Sequence, residues 1–279
     1  MSGADLTVII PAHQEEARID ACLGALFAQA LPPGARPELL VVPNGCTDRT
    51  AEIARAWTGR FEAAGWHMAV LETPGGGKIA ALNLAEAQAA GPSRLFLDAD
   101  VVIGEGMMLA LYTALSGPGA RYIGARLTIP APRSRVSAAY SRFWQALPFV
   151  AENVTGAGLF AVNAEGRARW NRFPDIIADD AFVRLHFNRS ERTRVEVPYL
   201  WPVTEGFLRL VRVRRRQNAG NAELSARYPE LAARSAGDSP SGSWLLKAAL
   251  RDPIGFATYS SVALAVRARR PSGKWDRGR

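Results

Sequence analysis

Four short clusters in this chain combine residue types that do chemistry. Asp98-Ala99-Asp100 follows the apolar run Leu95-Phe96-Leu97. Two carboxylates one residue apart at the end of a buried strand repel each other unless a cation or hydrogen-bond donors stand by, and Mg²⁺ is commonly held by one or two carboxylates plus substrate phosphates. An acidic helix start gives the same pattern. Gly75-Gly76-Gly77-Lys78 opens a helical segment; glycines let backbone approach a ligand, and a helix N-terminus favours anions. A nucleoside-triphosphate loop is excluded, because Ile79 stands where Ser or Thr is needed. The plain alternative is a solvated lysine in a loop. Asp179-Asp180 is framed by Ile176, Ile177, Ala178, Ala181, Phe182 and Val183. One desolvated carboxylate there would serve as a general base; an acidic helix cap is the alternative. Arg212-Val213-Arg214-Arg215-Arg216-Gln217 suits bidentate contacts to a diphosphate, and equally a solvated helix face. His13, His67 and His186 are too scattered for a metal cluster or a triad.

The elements that would position these clusters alternate in type. Apolar strand-like runs at 6–10, 38–42, 67–71 and 94–97 are separated by helical spacing over 15–30, 47–61 (with Thr47 as its cap) and 78–89. Alternating strands and helices imply a parallel sheet between helix layers, and such sheets bind ligands at the carboxyl ends of their strands. Pro11 to Glu15, Pro43 to Asp48 and Asp98 to Asp100 all fall at that edge. Beyond Asp100 the pattern is mixed: helices over 105–115 and 134–147, and strands over 122–128 and 159–162. Tyr140, Phe143, Trp144 and Leu147 form a helical stripe that reads as core more readily than as an acceptor groove. Ala236–Ser243 reads as a linker before a C-terminal helical segment.

The chain has 279 residues, enough for a full core, and its composition is that of a folded protein. Cys22 and Cys46 are too few for a disulfide framework or a four-cysteine zinc module. With no leader-like start and no apolar run of membrane-spanning length, the expected location is cytoplasmic. The net charge of +8 hides an asymmetry: residues 1–183 carry 15 basic and 18 acidic side chains, residues 184–279 carry 19 and 8. A basic final third implies an anionic partner. Nucleic acid is not expected, since no stacking aromatics punctuate the basic runs. Trp244, Leu245, Leu246, Ala249 and Leu250, then Pro253 to Val266, are flanked by Lys247, Arg251, Arg267, Arg269 and Arg270. That pattern fits a helix lying on an anionic membrane surface, peripheral on its inner face; packing against the preceding domain is the equal alternative.

In this order the clusters resemble the family 2 inverting glycosyltransferases of GT-A fold. Val8-Ile9-Ile10-Pro11-Ala12-His13-Gln14-Glu15-Glu16 resembles the opening strand and "P-x-x-N-E-E" loop, with Gln14 for Asn. Val41 to Asp48 resembles "V-x-D-D-G-S-x-D", with Asn44 for Asp. Gly77-Lys78-Ile79-Ala80-Ala81-Leu82-Asn83 resembles "G-K-x-x-A-L-N", and Asp98-Ala99-Asp100 matches the D-x-D. Thr155-Gly156-Ala157-Gly158 resembles the acceptor-side glycine segment, and Asp179-Asp180 stands where the family has Glu-Asp. The resemblance spans about 6–220.

It implies an α/β fold of GT-A type: a mostly parallel nucleotide-binding sheet between helices, a mixed acceptor half, and a helical C-terminal segment. The implied domains are a catalytic domain over 1–235 (nucleotide half about 1–103, acceptor half about 104–235) and a basic amphipathic segment over 243–279. Pro11, Ala12, His13, Glu15, Asn44, Lys78 and Asp98 would bind the nucleotide sugar, with Arg215 or Arg216 on its diphosphate. Asp100 would hold Mg²⁺ or Mn²⁺, and Asp180, with Asp179 as competitor, would be the base. The segment Val213 to Gln217 lacks the leading Gln and the Trp of the processive "Q-x-x-R-W". The expected enzyme is therefore a metal-dependent, non-processive transferase using a nucleotide sugar, UDP-sugars first, with an unidentified acceptor hydroxyl, lipid-linked hydroxyls included. A nucleotidylyltransferase is the rival enzyme, although its glycine-rich start with Arg and Lys near residue 10 is missing. A non-catalytic nucleotide-sugar-binding membrane adaptor is the rival outside enzymology.

Overall fold

The computed structural model describes residues 4–151, 154–235 and 240–268. Four apolar runs form β1 (Leu6–Ala12), β2 (Pro37–Pro43), β3 (His67–Val70) and β4 (Ser93–Leu97), paired in parallel in the order β3-β2-β1-β4. All of β2 is buried, and β1 is buried except at Pro11. Parallel strands covered on both faces carry unbroken apolar runs rather than alternation. The connections are α1 (Ile19–Phe27), α2 (Thr50–Ala56), α3 (Thr58–Ala63) and α4 (Gly77–Gln88). The inward stripe of α1 is Ile19, Cys22, Leu23 and Leu26, the spacing of a helix with one core-facing side.

The helix expected over 47–61 is two helices that meet at Trp57. That indole donates to Asp20 at 2.9 Å and packs against Phe27 and Phe61. Thr47 is not its cap: the helix starts at Thr50, whose backbone N–H and hydroxyl both donate to Asp48 Oδ1, at 3.1 and 2.5 Å.

Downstream come β5 (Val102–Ile103), α5 (Met107–Leu115), β6 (Tyr122–Thr128), α6 (Arg135–Ala146), α7 (Pro148–Ala151), β7 (Leu159–Val162), α8 (Ala164–Arg167), α9 (Asp179–Leu185), β8 (Arg192–Leu200), α10 (Phe207–Arg227), α11 (Pro229–Ala233), α12 (Gly242–Arg251) and α13 (Pro253–Ala268). Among the described residues the sheet has eight strands, in the order β3-β2-β1-β4-β7-β6-β8-β5. β7 runs antiparallel to both β4 and β6, and β5 antiparallel to β8. The architecture is the GT-A type expected from the sequence. β5 and β8 were not expected.

The chain divides into two compact units. The first comprises Met1–Leu127, Gly156–Asp175 and His186–Trp201, and holds the sheet core. Within it, Glu86 on α4 lies between two guanidiniums, 3.3 Å from Arg94 Nε and 2.7 Å from Arg167 Nε. Burial holds the Arg94 guanidinium below its ordinary pKa, against the pull of Glu86. Removing the charge of Glu86 leaves buried Arg94 and half-buried Arg167 without their carboxylate, so Glu86→Gln is expected to lose about 3 kcal/mol of stability. Urea unfolding checks this, and a loss under about 1 kcal/mol, the scale of a surface pair, contradicts it.

The second unit comprises Thr128–Thr155, Ile176–Leu185 and Pro202–Arg279. Its core is built on α6. Tyr140, Phe143 and Leu147 are buried there as the stripe predicts, with Tyr259 stacked on Tyr140 at 5.5 Å and Phe256 edge-on to Phe143 at 5.7 Å. The C-terminal helices thus pack within this unit through one side. Of the expected linker, 236–239 lies outside the described residues, as does the basic tail 269–279.

Candidate active site

The site residues of the first unit gather where β1 lies between β2 and β4. The chain steps outward from β1 through β2 to β3 and then returns through α4 to β4 on the other side of β1, and open parallel sheets bind ligands at such a reversal.

At the end of β1, Ala12 accepts from the Asn44 N–H at 2.8 Å, and His13 Nδ1 lies 2.6 Å from the Asn44 carbonyl. The first two strand ends are thereby locked together. Gln14 has φ +57°, left-handed backbone rare outside glycine. Its side chain repays that strain: Nε2 donates to Thr47 Oγ1 at 2.7 Å, and Oε1 accepts from the N–H groups of Thr47 at 2.7 Å and Asp48 at 3.3 Å. Glu15 is 2% exposed; its N–H donates to Thr50 Oγ1 at 2.8 Å, and its carboxylate meets Arg18 at 3.4 Å. Burial works to raise the Asp48 carboxyl, but hydrogen bonds from Thr50 and the Glu16 N–H outweigh it and hold that group low. Truncating the clamp in Gln14→Ala is expected to cost about 1 kcal/mol, read as a lowered unfolding midpoint. An unchanged midpoint would contradict this role.

At the end of β2, Asn44 is 4% exposed and its Oδ1 is a buried acceptor without a hydrogen-bond partner. Such an orphan is unusual in a native protein and calls for a ligand or water. Gly45, at φ +57°, donates to Thr73 O at 2.8 Å, and a Cβ there would meet Pro74 O at 3.3 Å. Pro43, Gly45, Cys46, Thr47, Glu72, Thr73 and Pro74 line a cavity of about 290 Å³.

At the end of β4, the Asp98 N–H donates to Gly158 O at 2.8 Å. Gly158 has φ +72°, and a Cβ on it would stand 2.7 Å from the Trp201 ring and 2.8 Å from Val101; only glycine fits where the segment after Thr155 passes the acidic pair. Lys78, in the first turn of α4, places Nζ 3.0 Å from Asp98 Oδ1. Asp100 is half-buried. Desolvation, then the charge of Asp98, push its carboxyl up to about 6, while Arg18 and Lys78 pull the other way. Burial, followed by the charges of Asp100 and Asp98, likewise raises the neighbouring Cys22 thiol. Arg18 and Lys78 answer the acidic pair across space; neither is near it in sequence.

Among the described residues no three His, Cys, Asp or Glu side chains form a cation cage. Two carboxylates fit a divalent ion whose remaining ligands come from substrate phosphates and water, the usual arrangement for Mg²⁺.

In the second unit, Asp179 and Asp180 begin α9; Asp179 is buried and Asp180 half-buried, accepting from the Ala181 N–H at 2.8 Å. Arg215 is half-buried on α10 and donates to the Ala265 carbonyl of α13 at 2.7 Å, and Arg214 donates to the Tyr259 hydroxyl at 3.1 Å. Arg216 is exposed.

The model of glycosyl transferase family 2 matches residues 7–172, more than half of the sequence and every element that builds the first-unit site. The chain belongs to glycosyltransferase family 2. This glycosyltransferase is 32% identical over 134 residues to glycosyltransferase AglE of Haloferax volcanii, a stretch covering 48% of this chain and 42% of that one. The matched part thus spans less than half of that relative. Among solved structures, mannosyltransferase PcManGT from Pyrobaculum calidifontis, in complex with GDP-Man and Mn²⁺, is similar at TM-score 0.60 and 20% identity, over 98% of this chain and 77% of that one. S. aureus TarS 1-349 in complex with UDP-GlcNAc gives 0.57 and 17%, over 94% and 81%. Glucosyl-3-phosphoglycerate synthase from Mycobacterium tuberculosis, with Mn²⁺, UDP and glucosyl-3-phosphoglycerate, gives 0.55 and 19%, over 86% and 82%. At these identities the likeness shows the shared fold. Among the described residues, no helix of this family 2 chain is long and apolar enough to cross a membrane.

Proposed function

We propose that this glycosyltransferase moves a sugar from a nucleotide-sugar donor to an acceptor hydroxyl, with inversion, one residue at a time, and with a divalent cation. The observation that carries this reading is the Asp98–Asp100 pair at the end of β4, beside β1 and answered by Lys78 from the glycine-opened α4. A nucleoside fits the β1 and β2 ends, where the Asn44 amide offers a buried acceptor to a base N–H. Lys78 takes part of the diphosphate charge, and Asp100 holds the cation with Asp98 beside it. That cation would be Mg²⁺ or Mn²⁺, and it would neutralise charge building on the departing diphosphate. Asp180 accepts the proton of the acceptor hydroxyl as its oxygen attacks the anomeric carbon, with Asp179 as the competing base. Arg215 and Arg216 are proposed for the diphosphate by resemblance. The hydrogen bond of Arg215 to Ala265 makes exposed Arg216 the better candidate. The similar structures, solved with UDP-GlcNAc, GDP-Man and UDP, support a nucleotide-sugar donor, and two of them contain Mn²⁺. The acceptor is proposed to lie at an anionic membrane surface, with the enzyme peripheral on the cytoplasmic side.

The test is incubation with Mn²⁺ and a panel of UDP-, GDP- and other nucleotide sugars. Release of nucleoside diphosphate is expected. Conversion of the nucleotide sugar to nucleoside triphosphate and sugar 1-phosphate only when pyrophosphate is added, or binding without turnover across the panel, would contradict transfer.

A further inference from the structure

The outer side of the C-terminal helix pair is apolar where a solvated helix would be polar. On α12, Trp244 turns inward, edge-on to Phe143 at 6.1 Å, and Ala248 packs in the same cluster. The opposite side carries Leu246 and Leu250, one turn apart and 65% and 77% exposed, and Ile254 follows at the start of α13 with 68% exposed. Three large aliphatic side chains turned to solvent, two on α12 and one just past the break at Asp252, are not explained by the core, which α12 already serves through its other side.

Basic residues adjoin these side chains. Lys247 and Arg251 follow Leu246 and Leu250 by one position each and are exposed. Both also line a groove of about 430 Å³ between α6 and α12, with Phe143, Ala146, Trp244 and Ala248 as its apolar walls and Arg142 and Asp252 at its edge. The one carboxylate there is already neutralised: Asp252 takes a two-pronged contact from Arg142, at 2.8 Å on each oxygen, and also accepts from the Gly255 N–H at 2.9 Å. Those bonds, with burial opposing them, hold its carboxyl below the ordinary value. Lys247 and Arg251 therefore remain as the net charge of the groove mouth, above apolar walls and beside the exposed leucines.

We propose that the exposed side of α12 and the start of α13 docks on an anionic phospholipid bilayer. Leu246, Leu250 and Ile254 enter the acyl boundary, while Lys247 and Arg251 meet lipid phosphates at the mouth of the groove. Apolar side chains immersed beside basic residues at head-group level are the chemistry of an interfacial helix. Amphipathic pairing of this kind selects a charged bilayer over a second protein copy, because like-charged faces of two copies would repel. This deepens the membrane part of the proposed function and rests on it, but does not depend on the donor or the metal.

Co-sedimentation of the full chain with vesicles tests it. Vesicles of phosphatidylcholine alone are compared with vesicles containing phosphatidylglycerol, at low and high salt. The expected result is binding to the anionic vesicles, weakened by salt and by neutral lipid. Each basic residue at such a surface contributes a factor of about five, so K247Q/R251Q is expected to bind roughly thirtyfold more weakly. Leu250→Glu is expected to weaken binding at least as much, whereas Leu109→Glu, which removes an exposed leucine from α5, leaves it unchanged. Circular dichroism and diphosphate release confirm that each variant is folded; lost sedimentation with retained turnover assigns the defect to docking. Wild type remaining in the supernatant with anionic vesicles at low salt overturns the proposal. So does equal binding by K247Q/R251Q and Leu250→Glu, or a dimer in solution that Leu250→Glu abolishes while vesicles bind neither form.

Discussion

Asp100→Asn is expected to reduce nucleoside diphosphate release by about a thousandfold, the few kcal/mol that a cation contributes to a developing diphosphate charge, without lowering stability. The two halves of this expectation have one origin. Asp100 is half-buried beside Asp98, and desolvation and that charge push its carboxyl up to about 6. In the sign convention of linkage, a carboxyl raised in the folded state binds its proton more tightly when folded, so its charge opposes folding above that pKa. The amide removes this repulsion together with the anionic ligand. Turnover across the donor panel and a thermal unfolding midpoint, both without added metal and with Mn²⁺, read the two quantities. Turnover within tenfold of wild type would contradict the assignment, as would a collapse of the midpoint.

The second large effect is expected at α9. Asp180→Asn should lower turnover by about a hundredfold to ten-thousandfold, the range of a positioned general base, while donor affinity measured by calorimetry changes less than twofold. The split between turnover and binding separates a base from a ligand of the nucleotide. Asp179 follows the same logic: it is buried at the first turn where Asp180 is half-exposed, and loss of turnover in Asp179→Asn with Asp180→Asn active would move the role by one residue. Equal loss of donor binding would remove both from the base position.

How far the sequence foretold this molecule depends on what each element is made of. β1, β2 and β4 were legible because burial on both faces leaves uninterrupted runs such as Leu39-Leu40-Val41-Val42. β8 escaped because it is half-exposed: Val195, Val197 and Tyr199 alternate with Arg194, Glu196 and Pro198, a period of two that the arginines obscure. β5, two residues long, exists only through its pairing with Leu200 and Tyr199. The break at Trp57 is likewise tertiary, made by Asp20 and the Phe27 and Phe61 rings.

For the site, the acidic pair and the glycine-opened helix were readable from spacing, but their electrostatics were not. Arg18 and Lys78 balance Asp98 and Asp100 from 80 and 20 positions away. The clamp of Gln14 on Thr47 and Asp48 also has no local signature, since a positive φ at a glutamine cannot be read from its neighbours. The arginine run shows the reverse case. Its composition suggested phosphate, yet Arg214 and Arg215 spend hydrogen bonds on α13, because one side of a long helix that packs against another must satisfy its donors locally.

The end of β4 is proposed to hold a diphosphate together with a divalent cation. The most direct test is calorimetric titration of the full chain with the nucleoside diphosphate that the donor panel identifies, in Mn²⁺ and in EDTA, for wild type and Asp100→Asn. Chelation is expected to weaken wild-type binding about tenfold or more, because metal and phosphate complete one another's coordination, and Asp100→Asn is expected to bind equally in both conditions. Wild-type affinity indifferent to chelation, or an Asp100→Asn variant that still responds to Mn²⁺, would contradict that placement.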